Sequence, residues 1–323
     1  MRSIAQGMLS RALRPYRQSL VQTKGVNQRG AKARFVRSSM LVLLLLVPVT
    51  FIGDRLLGAG LEWLLLESNF RYSRLYGGTA QADVVVLGNS RGHAFYEPEM
   101  EKLSGRTIFN LSYNALPISV GRALVEDYLD RYTPSVLVVD VSMLTKTEEQ
   151  ITNSFKAYES LSPRLDKLIE RSSEETSTAS QIFSLYRFNS EVFHRALYYL
   201  AKTDDDWILD KQISATMARN SRDLDRVSFR ITKDRMRDLR HIIEVAERKG
   251  VTVNLVMGPY YPGYLKKISN LDQFLATIET ATGYEVEDYS GLIRQDAMFS
   301  DYLHLNKDGS SIFLAELYED EVF

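Results

Sequence analysis

The chain has 323 residues, no cysteine, four histidines and a formal net charge of −1 at pH 7. This length can bury a substantial core, and the lack of cysteine excludes disulfide scaffolds, cysteine-based zinc or iron–sulfur sites and thiol catalysis. The near-zero net charge is that of a neutral soluble protein, but it arises by cancellation between two parts of the chain.

The N-terminal region carries an excess of positive charge. Its first 38 residues contain no Asp or Glu, so all 41 acidic residues follow them, together with 31 of the 40 basic ones. The nine basic residues of this region are Arg2, Arg11, Arg14, Arg17, Lys24, Arg29, Lys32, Arg34 and Arg37. An uncharged apolar run, Met40–Gly53, follows directly. We predict a basic cytoplasmic arm at 1–38 and a transmembrane signal-anchor with a juxtamembrane segment at 39–66.

The apolar run also fits a cleaved signal peptide or the core helix of a soluble protein. A 38-residue basic region is long for a signal peptide, and a core helix would leave this arm unexplained. Beside an apolar run, anionic lipid headgroups are the nearest polyanion for an Arg-rich arm, so we expect a membrane and no nucleic acid as partner. The positive-inside rule then predicts a single-pass protein of the plasma (inner) membrane, with everything after about Asp54 on the extracytoplasmic, periplasmic side.

The remaining chain alternates between apolar, β-branched runs and amphipathic stretches. The predicted strands are Ala82–Leu87, Thr107–Leu111, Ser135–Val141, Val251–Met257 and Tyr284–Val286. The predicted helices include Pro117–Tyr132, Thr232–Lys249 and a last one from Asn306 or Lys307 to Tyr318. Strands separated by helices predict an α/β fold over 80–323, a doubly wound parallel sheet with helices on both faces.

The stretch from about 145 to 230 interrupts this rhythm. It is polar, has no convincing buried strand, and is typical of helices joined by a Ser/Thr/Glu-rich segment, Ser172–Ser180. We predict a helical insertion between the third and fourth strands. Both a plain structural insert and a cap over an active site fit the pattern, and the plain insert is favoured.

Two short motifs carry candidate chemistry. Gly88–Gly92 follows the first strand and matches G-x-S-x-G, a pattern that exposes a nucleophilic serine at a strand end. Asp301 and His304 lie three residues apart just before the last helix. Serine hydrolysis needs a base to take the hydroxyl proton and a carboxylate to orient that base. Ser90, His304 and Asp301 are therefore candidates for such a set.

These two motifs resemble the first and last sequence blocks of the SGNH (GDSL-like) hydrolase superfamily. Val84–Ser90 reads VVVLGNS and Asp301–Gly309 reads DYLHLNKDG. An α/β hydrolase, by contrast, usually supplies its acid tens of residues before the histidine. The resemblance covers roughly 80–144 and 230–323. It implies that Ser90 is the nucleophile, His304 the base and Asp301 its orienting partner, with an acyl-serine intermediate and no metal or organic cofactor.

The middle blocks match less well. The superfamily builds its oxyanion hole from the nucleophile N–H, a glycine N–H and an asparagine side chain. Here Ala115 or Asn114 stands at the glycine place, where a backbone N–H could still serve. The block after the third strand lacks the asparagine, so Ser142, or Asn114 from the neighbouring loop, is the candidate replacement.

Two residues beside the nucleophile are further candidates. Asn89 and Arg91 flank Ser90, and each is a candidate for binding substrate or for bracing the backbone.

The departures resemble those of membrane-anchored members of the superfamily, such as the alginate O-acetylation proteins and the D-alanyl transfer protein of teichoic acid. This implies a membrane-anchored serine ester hydrolase or O-acyltransferase, acting on acyl groups of a cell-envelope or secreted polysaccharide, with other envelope polysaccharide-assembly proteins as partners. One alternative is a non-catalytic polysaccharide-binding scaffold protein of an envelope assembly. Another is a lipase or thioesterase at the bilayer surface.

Three other features have a bland and a functional interpretation. For His93 we favour a solvent-facing position over substrate contact, and for Asp204–Asp206 an acidic helix N-terminus over a cation site. Tyr260 and Tyr261 are expected to pack within their loop rather than stack on a sugar ring.

Overall fold

The computed structural model describes residues 14–145 and 149–323, with side chains from 32 to 145 and from 151 onward. Residues 1–13 of the predicted basic arm lie outside the described residues. The chain divides into two compact units, Met1–Leu57 and Gly58–Phe323. The second unit therefore begins well before the first predicted strand.

The first helix, α1, runs from Arg14 to Leu66. Among the described helices, its segment Lys32–Leu66 is the one long and apolar enough to cross a membrane. The apolar side chains of this segment are exposed, with Leu44 and Leu45 each 69% accessible. Length, composition and exposure thus agree with the apolar anchor expected from the sequence.

The second unit contains one five-stranded parallel sheet. Its strands are β1 (Val84–Leu87), β2 (Ile108–Asn110), β3 (Val136–Asp140), β4 (Thr252–Met257) and β5 (Val286–Asp288). They lie in the order β2-β1-β3-β4-β5, and every neighbouring pair is parallel. The predicted α/β class and parallel sheet are confirmed, with β5 starting two residues later than expected.

Helices pack on both faces of this sheet and form the insertion. In chain order they are α2 (Arg71–Gly77), α3 (Glu97–Ser104), α4 (Ile118–Leu129), α5 (Pro163–Ser172), α6 (Glu174–Ile182), α7 (Glu191–Tyr198), α8 (Ala215–Asn220), α9 (Lys233–Arg248), α10 (Pro262–Leu265), α11 (Leu271–Thr282) and α12 (Lys307–Glu319). Helix α2 had no counterpart in the sequence prediction.

Side-chain alternation along β1 distributes the core between the two faces. Val85 and Leu87 pack in a large apolar cluster with residues of α2, α4, α9 and α11. Val84 and Val86 point the other way and pack with residues of α3 and α12. The strand order reverses between β1 and β3, and the carboxyl ends of strands at such a switch point form a crevice. The carboxyl ends of β1 and β3 are therefore where a binding site is expected in this sheet.

The insertion between β3 and β4 contains helices α5 to α8. The expectation that Ser172–Ser180 is a connecting segment was wrong, because most of it forms α6. The Ser173 side chain accepts a hydrogen bond from the Thr176 N–H at 3.1 Å and caps this helix. Such N-terminal capping satisfies a backbone donor that otherwise has no partner.

Candidate active site

Ser90 stands at the sharp turn where β1 leaves the sheet. The strand ends at Leu87, and Ser90 begins a short 3-10 helix, Ser90–Ala94. The Asn89 side chain accepts a hydrogen bond from the Arg91 N–H at 2.9 Å and caps this helix. A Cβ at Gly92 would lie 2.1 Å from Ser112 Oγ, so the turn can pack this closely only with glycine there. These local constraints present Ser90 at the carboxyl edge of the sheet.

His304 and Asp301 reach Ser90 from the loop before α12. Ser90 Oγ lies 2.8 Å from His304 Nε2, and His304 Nδ1 lies 2.9 Å from both Asp301 carboxylate oxygens. Asp301 Oδ1 also accepts the N–H groups of Leu303 at 2.8 Å and His304 at 3.0 Å. The structure therefore brings the three residues of the predicted set together in one hydrogen-bonded chain.

The electrostatics of Asp301 fix which histidine nitrogen carries the proton. Partial burial disfavours its charged form, but the hydrogen bond and charge of His304 and the two backbone N–H groups outweigh this, so the pKa of Asp301 is lowered. An ionised carboxylate can only accept, so His304 Nδ1 donates to it. His304 Nε2 is then left with a lone pair that can accept the Ser90 hydroxyl proton.

Arg91 braces the backbone around this set. Its guanidinium donates to the carbonyl of Leu303 at 2.7 Å and to those of Gly258 at 2.6 Å and Pro259 at 3.0 Å. The same group lies 3.6 Å from the ring centroid of buried Tyr260. Arg91 thus ties the turn after β1 to the loop after β4 and to the loop of His304, and its hydrogen bonds go to the backbone.

Asn114 is the candidate oxyanion donor that lines the same cavity as Ser90 and His304. His93 Nε2 lies 3.1 Å from its carboxamide oxygen. Burial, aided by the nearby charge of Arg71, lowers the pKa of His93 to about 3, so this imidazole is neutral near pH 7. A carboxamide oxygen only accepts, which places the His93 hydrogen on Nε2 and leaves the Asn114 NH₂ group for another partner.

The other two oxyanion candidates have different surroundings. Ala115 has φ of +54°, the left-handed conformation that favours glycine, so this alanine adopts a backbone shape typical of glycine. Ser142 is fully buried, and its hydroxyl donates to Asp140 at 2.8 Å. Asp140 also accepts the Ser142 N–H at 2.9 Å. Neither Ala115 nor Ser142 lines the cavity at Ser90.

The cavity has a volume of about 310 Å³, and the helical insertion forms one of its walls. Sequence reasoning missed this wall, which includes Arg195, Tyr199, Asp206 and Trp207. The insertion is therefore more than the plain structural insert that the sequence favoured. The one available signal was Trp207, one of only two tryptophans, in an otherwise polar segment.

The expectation that Asp204–Asp206 begins a helix was wrong, because the triplet lies in an irregular segment, where two of its residues make structural contacts. Asp204 forms a buried ion pair with Arg71, with Nε–Oδ2 at 3.0 Å, and accepts a hydrogen bond from the Trp207 ring N–H. Asp206 accepts from the hydroxyls of Tyr198 and Tyr199. Within the part of the chain that the structure describes, no group of three His, Asp or Glu side chains is placed to hold a metal ion.

His93 and the two tyrosines after β4 have different surroundings. His93 is half-buried and lines the same cavity as Ser90, and its ring stacks on Trp207 with centroids 4.8 Å apart. Tyr260 and Tyr261 are 2% and 3% exposed, so they pack within the fold as expected rather than offer a sugar-stacking surface.

Comparison with known proteins adds little beyond this geometry. No protein-family model matches the chain, and no curated protein matches it. Among solved structures, a Bacteroides fragilis protein described as a "putative acylhydrolase" matches with a TM-score of 0.36 and 9% sequence identity, over 76% of this chain and 89% of that one. At this level of similarity, the match says nothing about the chemistry of Ser90.

Proposed function

We propose that the protein is a membrane-anchored serine enzyme of the SGNH type that forms an acyl-Ser90 intermediate. The observation that carries this proposal is the chain of hydrogen bonds from Ser90 through His304 to Asp301, at 2.8 and 2.9 Å. A nucleophile bonded to a base that is itself oriented by a carboxylate is the arrangement that serine acyl transfer requires. Its position at the switch point of the sheet and on the wall of a cavity gives a substrate access.

The geometry supports the following acylation step. His304 Nε2 takes the hydroxyl proton as Ser90 Oγ attacks the carbonyl carbon of an acyl ester, and Asp301 stabilises the imidazolium that forms. When the tetrahedral intermediate collapses, the carbon–oxygen bond to the alcohol breaks and His304 returns the proton to the leaving oxygen. Water or a second hydroxyl then attacks the acyl-enzyme, again losing its proton to His304, which finally reprotonates Ser90.

The developing oxyanion needs donors on the opposite side of the carbonyl. In the described part of the chain, no protein acceptor takes the Ser90 N–H or the Asn114 side-chain NH₂ group. His93 donates to the side-chain oxygen of Asn114, so the amide hydrogens of Asn114 are free to face the cavity. We assign Ser90 N–H and Asn114 as oxyanion donors, and the loss of one such donor typically costs about 10²–10³ in rate. The Ser142 hydroxyl is already committed to Asp140.

The substrate and cellular setting of the proposal follow from the N-terminal region and the sequence resemblance. An apolar helix after a basic arm supports our proposal that the Gly58–Phe323 unit lies outside the cytoplasm at the plasma membrane. The substrate there is an acyl ester of a cell-envelope or secreted polysaccharide. The partners of the protein are other polysaccharide-assembly proteins. Water as acceptor makes the protein an esterase, and a sugar hydroxyl makes it an O-acyltransferase.

The test uses the full-length protein in detergent with a fluorophosphonate probe and an acetylated-sugar ester. We expect the parent protein to be labelled and to release acetate, and Ser90→Ala to lose both. Ser269→Ala, a change at an exposed serine that does not line the cavity, serves as the matched control and retains both activities.

Three outcomes would contradict the proposal. Equal labelling of Ser90→Ala and the parent would remove Ser90 as nucleophile. If neither protein reacts while both bind polysaccharide, the chain is a non-catalytic scaffold. A strong preference for long-chain lipid esters over acetylated sugars would instead identify a lipase or thioesterase. For the topology, a reporter fused after Phe323 that is active only in the cytoplasm would contradict the anchored orientation.

A further inference from the structure

Arg195 is a cationic side chain in the cavity that the proposed mechanism does not use. It lies on α7 of the insertion, is partly exposed, and lines the same cavity as Ser90 and His304. Its guanidinium lies 4.8 Å from the ring centroid of Trp207, which also lines the cavity. The insertion thus contributes a positive charge, stacked on an aromatic ring, to the cavity that Ser90 and His304 also line.

The protein leaves this charge without an acidic partner. Among the described residues, no carboxylate lies within ion-pair distance of Arg195, whereas Arg71, Arg164 and Arg187 all have one. Its polar neighbour is the hydroxyl of Tyr113. Glu191, one turn earlier on the same helix, is engaged by that same hydroxyl at 3.1 Å.

The other charges around the cavity are already committed. Arg91 is held by three backbone carbonyls. Asp206 accepts from two tyrosine hydroxyls, and Asp301 is bonded to His304. Apart from its contact with the Tyr113 hydroxyl, Arg195 therefore keeps guanidinium N–H donors for a ligand, and among the described residues it is the cavity cation that neither a carboxylate nor backbone carbonyls hold. A planar guanidinium in such a position is suited to binding carboxylate or phosphate oxygens.

We propose that the Arg195–Trp207 wall is a subsite for an anionic group, so that the substrate is an acyl ester carrying a carboxylate or phosphate close to the scissile bond. This inference rests on the proposed function, because it names the class of ester that Ser90 attacks. The guanidinium binds the anion while the ring of Trp207 packs against the adjoining part of the substrate.

The catalytic test compares three esters on the full-length protein in detergent. Two are anionic: the methyl glycoside of O-acetylglucuronic acid, with a free carboxylate, and an O-acetylglycerol phosphate. The third is the neutral methyl O-acetylglucoside. We expect the parent to prefer at least one anionic ester, and Arg195→Gln to lower the anionic-to-neutral ratio of kcat/KM by about 10–100-fold. Arg248→Gln, which removes an exposed charge at the end of α9, is the matched control and retains the parent ratio.

A binding measurement separates this proposal from the proposed function. The chain has two tryptophans, so Trp63→Phe leaves Trp207 as the only one, and its fluorescence reports ligand binding without any turnover. In that background we expect the acetylated glucuronide or the glycerol phosphate to bind, and Arg195→Gln to raise its Kd by about 10–100-fold. Binding of this kind by a protein that turns over no ester would leave the anion subsite standing and overturn only the catalytic proposal.

The results that would overturn the subsite are equally direct. One is an equal loss on neutral and anionic esters in Arg195→Gln, and another is an unchanged Kd for the anionic ligand. A third is a parent protein that binds the neutral glucoside as tightly as both anions. If the two anionic ligands bind with different Kd values, the one that binds more tightly shows whether carboxylate or phosphate is the group recognised.

Discussion

Single residues from distant parts of the chain make the candidate site. Ser90 and His304 are 214 positions apart, yet their side chains lie 2.8 Å from each other. Asp301 orients the imidazole, and Arg91 holds the carbonyl of Leu303 beside it at 2.7 Å. Each contact is a directed hydrogen bond, so the substitution of one residue should change rate more than fold.

Replacement of Asp301 by asparagine tests the orienting role. The amide cannot stabilise an imidazolium and permits the wrong histidine tautomer, so we expect Asp301→Asn to lower kcat by about 10³–10⁴-fold while far-UV circular dichroism is unchanged. The conservative Asp301→Glu variant should show a smaller fall in kcat than Asp301→Asn. A variant within 10-fold of the parent would remove Asp301 from the mechanism.

The same carboxylate predicts a pH dependence of stability. The pKa of Asp301 is lowered in the folded state. Its contribution to the free energy of unfolding is therefore present above the unfolded-state pKa and is lost as the pH falls through the folded-state pKa. We expect the parent to lose urea stability relative to Asp301→Asn as the pH falls below about 4, the ordinary range of an aspartate. Parallel stability curves for the two proteins across that range would contradict the prediction.

At the level of elements, the turn after β1 depends on a close approach of two chain segments. Gly92 packs against Ser112, whose Cβ and Oγ would lie 2.7 and 2.1 Å from a new Cβ. Neither segment can move freely, since Asn110 donates to the carbonyls of Gly92 and Phe95 at 2.8 Å each. The position of the nucleophile is therefore set by packing between the ends of β1 and β2.

This contact predicts a rescue by a second substitution. We expect Gly92→Ala to lose about 1–3 kcal/mol of stability through overpacking and to displace Ser90, with a fall in fluorophosphonate labelling rate. The double variant Gly92→Ala/Ser112→Gly should recover much of the lost stability and labelling rate, because Ser112→Gly removes the clashing atoms. If the double variant is no better than Gly92→Ala, the clash is not the cause.

A buried ion pair joins the insertion to the sheet. Arg71 binds Asp204 and also donates to the carbonyls of Asn110 and Ser112 at 3.1 and 2.9 Å. We expect Asp204→Ala to cost about 3–5 kcal/mol by stranding the guanidinium, measured by urea unfolding. The double variant Arg71→Met/Asp204→Leu should cost less than Asp204→Ala, and a larger cost would contradict this account.

At the scale of the whole molecule, the two units have different relations to solvent. The Gly58–Phe323 unit buries two apolar clusters about one sheet. The apolar helix of the first unit leaves Leu44 and Leu45 69% exposed. An exposed apolar row of this kind has the length and composition of a membrane-spanning helix, and the proposed anchor would bury it in a bilayer.

Two charges within the apolar helix test that anchor. We expect the double substitution of Leu44 and Leu45 by lysine to release the protein into the supernatant on alkaline carbonate extraction, because each lysine at the membrane centre costs about 2.5–3.5 kcal/mol. The matched double alanine variant should stay in the membrane pellet. Retention of the lysine variant in the pellet would contradict an anchor formed by this helix.

Much of the fold was predictable because it depends on local patterns. Short β-branched runs such as Val84–Leu87 predict strands buried on both faces, and amphipathic Thr232–Lys249 predicts a helix over nearly its observed length. The short helix Arg71–Gly77 was missed, since its burial comes from distant partners and not from its own periodicity. Ser172–Ser180 was misjudged because serine also caps helices.

The sequence by itself determined the charge asymmetry, the apolar segment, the α/β class and the two short motifs that contain Ser90, Asp301 and His304. These are properties of composition and local spacing, which no distant contact alters. Only the tertiary structure decided that Arg91 braces loops, that His93 engages Asn114, and that the insertion brings Arg195 to the cavity wall. Those relations join segments far apart in sequence, and only the packing of the folded chain specifies them.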